Sequence, residues 1–112
     1  ENAIQDIMTD QTPLPVTVDR IIDEVARTYG VTAEEIRGKS RSNQISAARQ
    51  IAMYVVREIT GMTQLEIGQE FGGRDHTTVI YALSQVAKIL ESDPRKKEVI
   101  EDIIKNIRNA DA

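Results

Sequence analysis

A cluster of short polar residues lies late in the chain, in the segment Gly72-Gly73-Arg74-Asp75-His76-Thr77-Thr78-Val79. Aspartate can accept a hydrogen bond from the amino group of cytosine, and threonine can present a methyl group to thymine or a hydroxyl to phosphate. Histidine can donate to a base or a phosphate. Each residue alone has an ordinary structural explanation, and Asp75 is expected to cap a helix in any case. Together, after a glycine turn and an arginine, they favour a surface that contacts nucleic acid.

A second chemical signal is a run of basic residues between positions 36 and 57 that contains no acidic residue. Its members are Arg37, Lys39, Arg41, Arg49 and Arg57. The whole chain has a net charge of −4, but residues 1–30 hold six acids and two bases, whereas residues 31–90 hold six acids and seven bases. Because salt screens charges more than about 10 Å apart, local potential matters more to a polyanion than total charge. The run indicates a DNA-facing surface, although a solvated helix face explains it equally well.

The composition disfavours enzymes and metal proteins. The chain contains no cysteine and one histidine, so it has no disulfide and no cysteine-ligated metal site. It lacks the Gly-x-x-x-x-Gly-Lys-Ser/Thr loop that binds nucleoside phosphates. Asp75 and His76 are adjacent, and neighbouring residues on a helix do not face each other, so no catalytic dyad is expected. We therefore predict no enzymatic activity, no catalytic residue and no metal in this chain.

The length of 112 residues suits one hydrophobic core. No apolar stretch approaches the ~18 residues that cross a bilayer, and no signal-peptide pattern is present, so we expect a cytoplasmic protein without a membrane partner. The first residue is Glu1 rather than methionine, which suggests a piece of a longer protein. Residues 1–15 are predicted to be the tail of a preceding helix and a linker, since two prolines in three residues resist helix formation. Residues 16–112 are predicted to form one domain.

Apolar residues recur with a helical period, which predicts an all-α fold. Thr17 is expected to cap a first helix that ends at Gly30. The segment Thr32-Ala33-Glu34-Glu35 is a capping box, and it opens a short second helix that ends by Gly38.

A polar loop is predicted at residues 39–43, followed by a third helix that ends at Gly61. The buried stripe of this helix is predicted at Ile45, Ala48, Ala52, Val55, Val56 and Ile59. Gln50 and Arg57 are seven residues apart, so they share the opposite face, and Arg49 and Met53 are expected near them.

The segments 63–71 and 75–91 have the dimensions of a helix-turn-helix. A second capping box, Thr63-Gln64-Leu65-Glu66, opens the first of these helices, and Gly68 within it predicts close backbone packing. The inner stripe of the second helix is predicted at Val79, Leu83, Val86, Ala87 and Leu90. A last helix is expected from Pro94, capped by Asp93, with Ile100, Ile103, Ile104 and Ile107 inward. In a helix-turn-helix, the N-terminal residues of the second helix meet base edges in the major groove.

The segment from Gly72 to Ala82, Gly-Gly-Arg-Asp-His-Thr-Thr-Val-Ile-Tyr-Ala, closely resembles the signature of the bacterial chromosomal replication initiator family, DnaA. The segments 48–60 and 67–71 are similar to the preceding helices of the same family. The resemblance covers roughly residues 17–108. It implies the family's C-terminal DNA-binding domain, a compact helical domain built around a helix-turn-helix in a TrpR-like arrangement, which binds replication-origin boxes similar to TTATCCACA.

The resemblance also implies roles for individual residues. Arg41 corresponds to the arginine that enters the minor groove, and Asp75, His76 and Thr77 correspond to the residues that meet bases in the major groove. Gln64 and Leu65 stand where the family often has Leu-Pro, beside a thymine methyl. The positions expected to contact phosphates are Lys39, Arg49, Gln50, Arg57, Arg74 and Thr78. An arginine in a loop suits a narrow, A/T-rich minor groove.

The same resemblance implies a monomer on each box, possible regulatory protein partners and a nucleoid location. It places ATP and magnesium in an upstream domain of the family, so no cofactor is expected here. Two other binding functions remain open: a helix-turn-helix transcription regulator with a different site, and a helical domain that binds proteins through its acidic ends and an exposed Tyr54 or Met53. The polar cluster at residues 75–78 is not explained by the protein-binding alternative.

Overall fold

The computed structural model describes residues 17–110, with side chains described for residues 17–109, and the predicted linker at 1–15 lies outside them. Over this range the chain forms six helices and no strand: α1 (Val18–Tyr29), α2 (Ala33–Arg37), α3 (Asn43–Thr60), α4 (Gln64–Glu70), α5 (His76–Ser92) and α6 (Pro94–Ala110). The prediction of an all-α helix-turn-helix domain is confirmed. Among these six helices, none combines the length and apolar character that crossing a bilayer requires.

Local sequence determines where most helices begin and end. In both capping boxes the threonine hydroxyl accepts from the backbone N–H three residues on, and the glutamate at that position accepts from the threonine N–H. Gly30 and Gly61 end α1 and α3 with φ of 70° and 69°, a backbone conformation that other residues rarely adopt. The loop before α3 is one residue shorter than predicted, because the Ser42 hydroxyl accepts from the Ile45 N–H and α3 starts at Asn43.

Helix α3 is the centre of the domain, and it contacts each of the other five helices. Its buried residues are Ile45, Ala48, Arg49, Ile51, Ala52, Met53, Val55 and Val56. The predicted apolar stripe is inside, with Ile59 half-buried, but the buried surface is much wider than one stripe. The prediction that Arg49 and Met53 lie on the solvent face is wrong, since they are 7% and 1% exposed. Helix α5 packs against α3, and the Arg49 side chain bonds to carbonyls at the end of α2 and in the loop that follows it.

Helix α5 packs on α3 and α4 through a stripe that includes Val79, Ala82 and Val86. Leu83 and Leu90 are half-buried, as members of the same stripe. Ala87, which was predicted to face inward, is exposed, since it lies one position beyond this stripe. Helix α6 then closes the core with Ile100, Ile103 and Ile107. It begins at Pro94 with Asp93 as the cap, as predicted; the Asp93 carboxylate accepts from the Lys96 N–H at 3.2 Å.

The turn between α4 and α5 is held tightly against its surroundings. The Arg74 N–H donates to the Gly68 carbonyl at 2.8 Å, and a Cβ on Gly68 would lie only 2.2 Å from the Arg74 carbonyl oxygen. Gly72 has a φ of 84°, and a Cβ there would lie 2.7 Å from the Arg37 carbonyl oxygen. The close packing predicted at Gly68 is present, and it fixes the direction in which α5 leaves the turn.

Candidate nucleic-acid interface

The start of α5 presents a row of exposed polar side chains. Asp75 has an extended backbone, with φ of −62° and ψ of 146°, and its carboxylate accepts from the Thr77 N–H at 3.4 Å. His76, Thr77 and Thr78 form the first turn of the helix, and all three are exposed. Their side chains can therefore meet a ligand without any rearrangement of the core. The backbone N–H groups of Thr77 and Thr78 already donate to the side chain and the carbonyl of Asp75.

Asp75 and His76 do contact each other, contrary to the expectation for neighbouring helical residues. The Nδ1 atom of His76 lies 3.1 Å from Oδ1 of Asp75. The contact forms because Asp75 caps the helix and is not part of it, so the two side chains are not fanned apart as they are inside a helix. The Asp75 and His76 side chains are 67% and 56% exposed, and no cluster of three histidine, cysteine, aspartate or glutamate side chains occurs within residues 17–109. The pair limits the orientations of the imidazole at the helix start.

Gln64 and Leu65 lie beside this row of residues. Together with Thr63 and His76 they line a shallow cleft of about 370 Å³. Leu65 is 59% exposed, whereas the buried residues of α4 are Ile67 and Gly68. The structure therefore places an apolar side chain next to the polar start of α5, where it is available to an apolar group on a ligand.

A basic cleft lies on the other side of the α5 start. It has a volume of about 350 Å³ and is lined by Lys39, Ser40, Arg41, Ser46, Arg49, Gly72, Gly73 and Arg74. Four of these eight residues are cationic, and none is acidic. The loop before α3 and the turn before α5 form its two walls. The structure thus joins two segments that are more than 30 residues apart in the chain, and both contain predicted site residues.

Arg49 forms the floor of this cleft and is bonded on all three of its nitrogens. Nε donates to the Ile36 carbonyl at 2.7 Å, Nη1 to the Ser40 carbonyl at 3.0 Å and Nη2 to the Glu35 carbonyl at 2.9 Å. Burial lowers the pKa of this guanidinium from its usual value, and the charge of Arg74 lowers it further. An arginine remains charged even so. Arg49, which was predicted to contact a phosphate, is thus a buried cation that is bonded to the backbone before α3.

Arg74 is also bonded to backbone carbonyls. Its Nη1 donates to the Phe71 carbonyl at 2.5 Å and its Nη2 to the Gly38 carbonyl at 2.6 Å. Burial lowers the pKa of this side chain as well. Lys39 and Arg41 differ from it, because both are exposed, and no hydrogen bond or ion pair of their side chains occurs within residues 17–109. Of the four cations at the cleft, two are held in place and two point freely toward solvent.

Of the remaining predicted phosphate residues, Gln50 and Arg57 lie on α3 and Thr78 lies on α5. Gln50 lines a small cleft of about 100 Å³ together with Thr78, Ser46 and Tyr81. Arg57 is exposed, and it donates to the Met62 carbonyl at 2.5 Å. Two turns of helix separate Gln50 from Arg57, which is about 10 Å along the axis. Arg57 does not line any of these three clefts, and it extends the polar face away from them.

Two residues of this surface were not singled out from the sequence. Ser46 precedes Gln50 by four residues on α3, and Tyr81 follows Thr78 by three residues on α5, so each shares a helix face with a predicted residue. That spacing was the signal that could have identified them. Tyr81 is 59% exposed, which leaves its hydroxyl free to reach a ligand in the cleft.

Comparisons with known proteins give a family model, a curated protein and a solved structure to which this chain is similar. A family model described as the bacterial dnaA protein helix-turn-helix matches residues 18–86. The chromosomal replication initiator protein DnaA of Symbiobacterium thermophilum is 42% identical over 106 residues, which are 95% of this chain and 23% of that protein. A crystal structure of a DNA replication initiation factor matches with a TM-score of 0.76 and 30% identity, over 85% of this chain and 29% of the other. This chain thus spans about a quarter of the length of the curated relative.

Proposed function

This chain belongs to the bacterial DnaA helix-turn-helix family, and on that premise we propose that it binds double-stranded DNA at replication-origin boxes similar to TTATCCACA. Such binding would serve the initiation of DNA replication and its regulation. The observation that carries the proposal is the exposed row Asp75 to Thr78 at the start of α5, directly beside a cleft lined by four cations and no acid. A polar helix start suits base edges, and a basic cleft suits the phosphates that flank them.

In the proposed complex the N-terminus of α5 enters the major groove. Asp75 accepts from a cytosine amino group, while His76 and Thr77 meet the neighbouring bases. Leu65, with Gln64 beside it, lies next to His76, where it can contact a thymine methyl. Arg41 projects from the loop at the opposite wall of the cleft into the adjacent minor groove, where a narrow A/T-rich groove attracts a cation. One protein therefore reads two grooves of a single box.

Phosphate contacts fix the register of this complex. Lys39, Gln50, Arg57 and Thr78 are at least partly exposed along the same surface, and Arg74 keeps donors at the rim of the cleft. Arg49 differs from them, because its three nitrogens already donate to carbonyls and the residue is 7% exposed. Any phosphate at Arg49 would be attracted by its charge through the cleft floor, and a direct contact would use only its second Nη hydrogens.

The ATP and magnesium site that the family resemblance implies is proposed to lie outside this chain. Gly38-Lys39-Ser40 is the only Gly-Lys-Ser here, and Ala33 stands where a phosphate-binding loop would need its first glycine. Gly38 follows the end of α2, and no strand precedes it within residues 17–110. We propose a cytoplasmic, nucleoid-associated protein that acts as a monomer on each box, with regulatory proteins as further partners.

The test is a titration of the chain against a fluorescent duplex that contains one box, with a scrambled duplex of equal composition as the control. We expect at least about 1,000-fold tighter binding to the box, as for other specific DNA-binding domains at physiological salt. Tight binding to a different site, recovered by selection from random duplexes, would favour a helix-turn-helix transcription regulator. Equal binding to box and scrambled DNA would contradict the proposed origin-box function.

A further inference from the structure

We propose that Arg49 and Arg74 are positioning residues, which hold the loop Gly38–Ser42 and thereby place Arg41 at a fixed position relative to the start of α5. The inference deepens the proposed function and rests on it, since Arg41 matters only if the chain binds DNA. It assigns Arg49 an indirect role in recognition, in place of the direct phosphate contact that the family resemblance implies.

The loop is bonded from below by Arg49. This side chain starts on α3, and it reaches the carbonyls of Glu35 and Ile36 at the end of α2 as well as that of Ser40 in the loop. The planar fork of a guanidinium can serve three carbonyls at once, whereas an ammonium group acts as a single point. One side chain therefore ties both the end of α2 and the middle of the loop to the central helix.

The loop is bonded from the other side by the turn of the helix-turn-helix. Arg74 donates to the Gly38 carbonyl at 2.6 Å, and the Arg37 side chain donates to the Glu70 carbonyl at 3.2 Å. Gly72 packs so closely on the Arg37 carbonyl that a Cβ would lie 2.7 Å from it. The loop is thus joined directly to the segment from which α5 begins.

Arg41 has no side-chain bond of its own that could set its position. Within residues 17–109 its guanidinium has no hydrogen bond or ion pair, and the residue is exposed. Its place is therefore set by the backbone of its loop. Because Arg49 and Arg74 hold that backbone, the distance between the two groove-reading elements is fixed before DNA arrives. A backbone that is fixed in advance loses less entropy when the domain binds.

A direct phosphate role explains the geometry of Arg49 less well. A side chain that binds phosphate presents its N–H donors to solvent. Arg49, however, is 7% exposed, and all three of its nitrogens are bonded to carbonyls. The exposed Lys39 and Arg41 are the side chains of this cleft that remain available. The two roles predict different couplings between Arg49 and Arg41, which an experiment can separate.

The experiment is a double-mutant cycle on the whole chain with box DNA, using Arg49→Lys, Arg41→Ala and the combination of both. We expect Arg49→Lys to weaken binding roughly 5- to 150-fold, the range for loss of one good base contact. In the Arg41→Ala background the same change should cost less than about twofold, because the contact that Arg49 supports is already absent. Arg27→Lys is the matched control: that arginine is 71% exposed on α1 and should leave affinity unchanged.

A second measurement uses the protein without DNA. Backbone ¹⁵N order parameters for residues 39–42 should be near 0.85 in the original chain and fall below about 0.6 in Arg49→Lys, with α5 unchanged. Arg74→Lys is measured in the same way and should loosen the same residues. If Arg49→Lys does not fold, as judged by its thermal transition, Arg74→Lys alone decides this measurement. If a scrambled duplex binds as well as the box, the proposed function is overturned but the inference is not. The order parameters would still show whether the two arginines hold the loop.

Two results would overturn the inference. The first is an equal loss of affinity from Arg49→Lys with and without Arg41, which identifies Arg49 as an independent DNA contact. The second is an ordered 39–42 loop in both lysine variants, which shows that the two arginines do not hold it.

Discussion

The backbone of Gly68 lies directly against the backbone of Arg74. The Arg74 N–H donates to the Gly68 carbonyl at 2.8 Å, and there is no room between the two segments for a side chain at position 68. This contact closes the turn of the helix-turn-helix on itself. It also determines the angle at which α5, and so Asp75 and His76, projects from the domain.

The first prediction concerns Gly68→Ala. The added Cβ would lie 2.2 Å from the Arg74 carbonyl oxygen, so the turn must shift. We expect unfolding to become easier by about 1–3 kcal/mol, as for other overpacked sites, with a fall in Tm of at least about 4 °C. Gln69→Ala is the control, because Gln69 is exposed on the same helix. An unchanged Tm in Gly68→Ala would show that the turn is loose.

The second prediction separates the two roles of Asp75. Asn and Asp are similarly good N-caps, but an amide can also donate, so Asp75→Asn should retain the cap and lose the preference for a cytosine amino group. We expect nearly unchanged stability and a loss of about 1–3 kcal/mol of discrimination at one base pair. Binding is measured on boxes that differ at single positions. A uniform loss at all positions would argue against a base contact at Asp75.

The third prediction tests Leu65 with a change in the DNA as well as in the protein. Replacing a thymine by uracil removes only its methyl group, so it should weaken binding of the original chain at the base next to Leu65. In Leu65→Ala the same replacement should have no effect, since the apolar partner is gone. Ile80→Ala, which truncates another exposed apolar residue of the helix pair, is the control. Equal sensitivity to uracil in all three proteins would rule out this contact.

The fourth prediction concerns Arg57, which lines none of the three clefts. Arg57→Ala should weaken box and scrambled DNA equally and reduce the slope of log K against log salt by about 1, because one phosphate contact is lost. Arg95→Ala, an exposed arginine on α6, should leave the slope unchanged. Affinities measured at several salt concentrations give both slopes. If Arg57→Ala alters only the preference for the box, its contact is not with phosphate.

The fifth prediction is a dependence of stability on pH that comes from the second capping box. The pKa of Glu66 is lowered from its usual value of 4.5 by hydrogen bonds from Thr63. A carboxylate with a lowered pKa stabilises the fold above about pH 4.5, and this contribution is lost as pH falls through the lowered pKa. The stability difference between the original chain and Glu66→Gln should therefore shrink between pH 6 and pH 3. Urea unfolding at pH 6 and at pH 3 measures the free energy of unfolding of both proteins. A difference that is the same at both pH values would contradict the prediction.

Helix boundaries were predictable because their causes are local. Thr63 and Glu66 are three residues apart, and Gly61 needs a positive φ, so a short window of sequence contains all the information. The resemblance of residues 72–82 to a known family likewise depends on consecutive residues. Such features predicted the fold class and the exposed start of α5.

The surroundings of Arg49 were not predictable in that way. A periodic pattern reveals one apolar stripe, but it does not say how many helices surround a central one, and α3 contacts five. The carbonyls that hold Arg49 belong to residues 9 to 14 positions earlier, at the end of α2 and in the loop that follows it. A charged residue can be buried wherever such acceptors meet it, and only the fold brings them there.

Helix α3 packs against α5, and the Arg74 side chain bonds to Gly38 just after α2. For this reason the segment 63–91 is not a portable unit. If it were grafted onto another scaffold, it would lose the Gly38 carbonyl that Arg74 holds and the helix face that covers Val79 and Val86. Anyone who redesigns the DNA specificity of this domain would do better to exchange exposed residues on the complete scaffold than to transplant the helix pair.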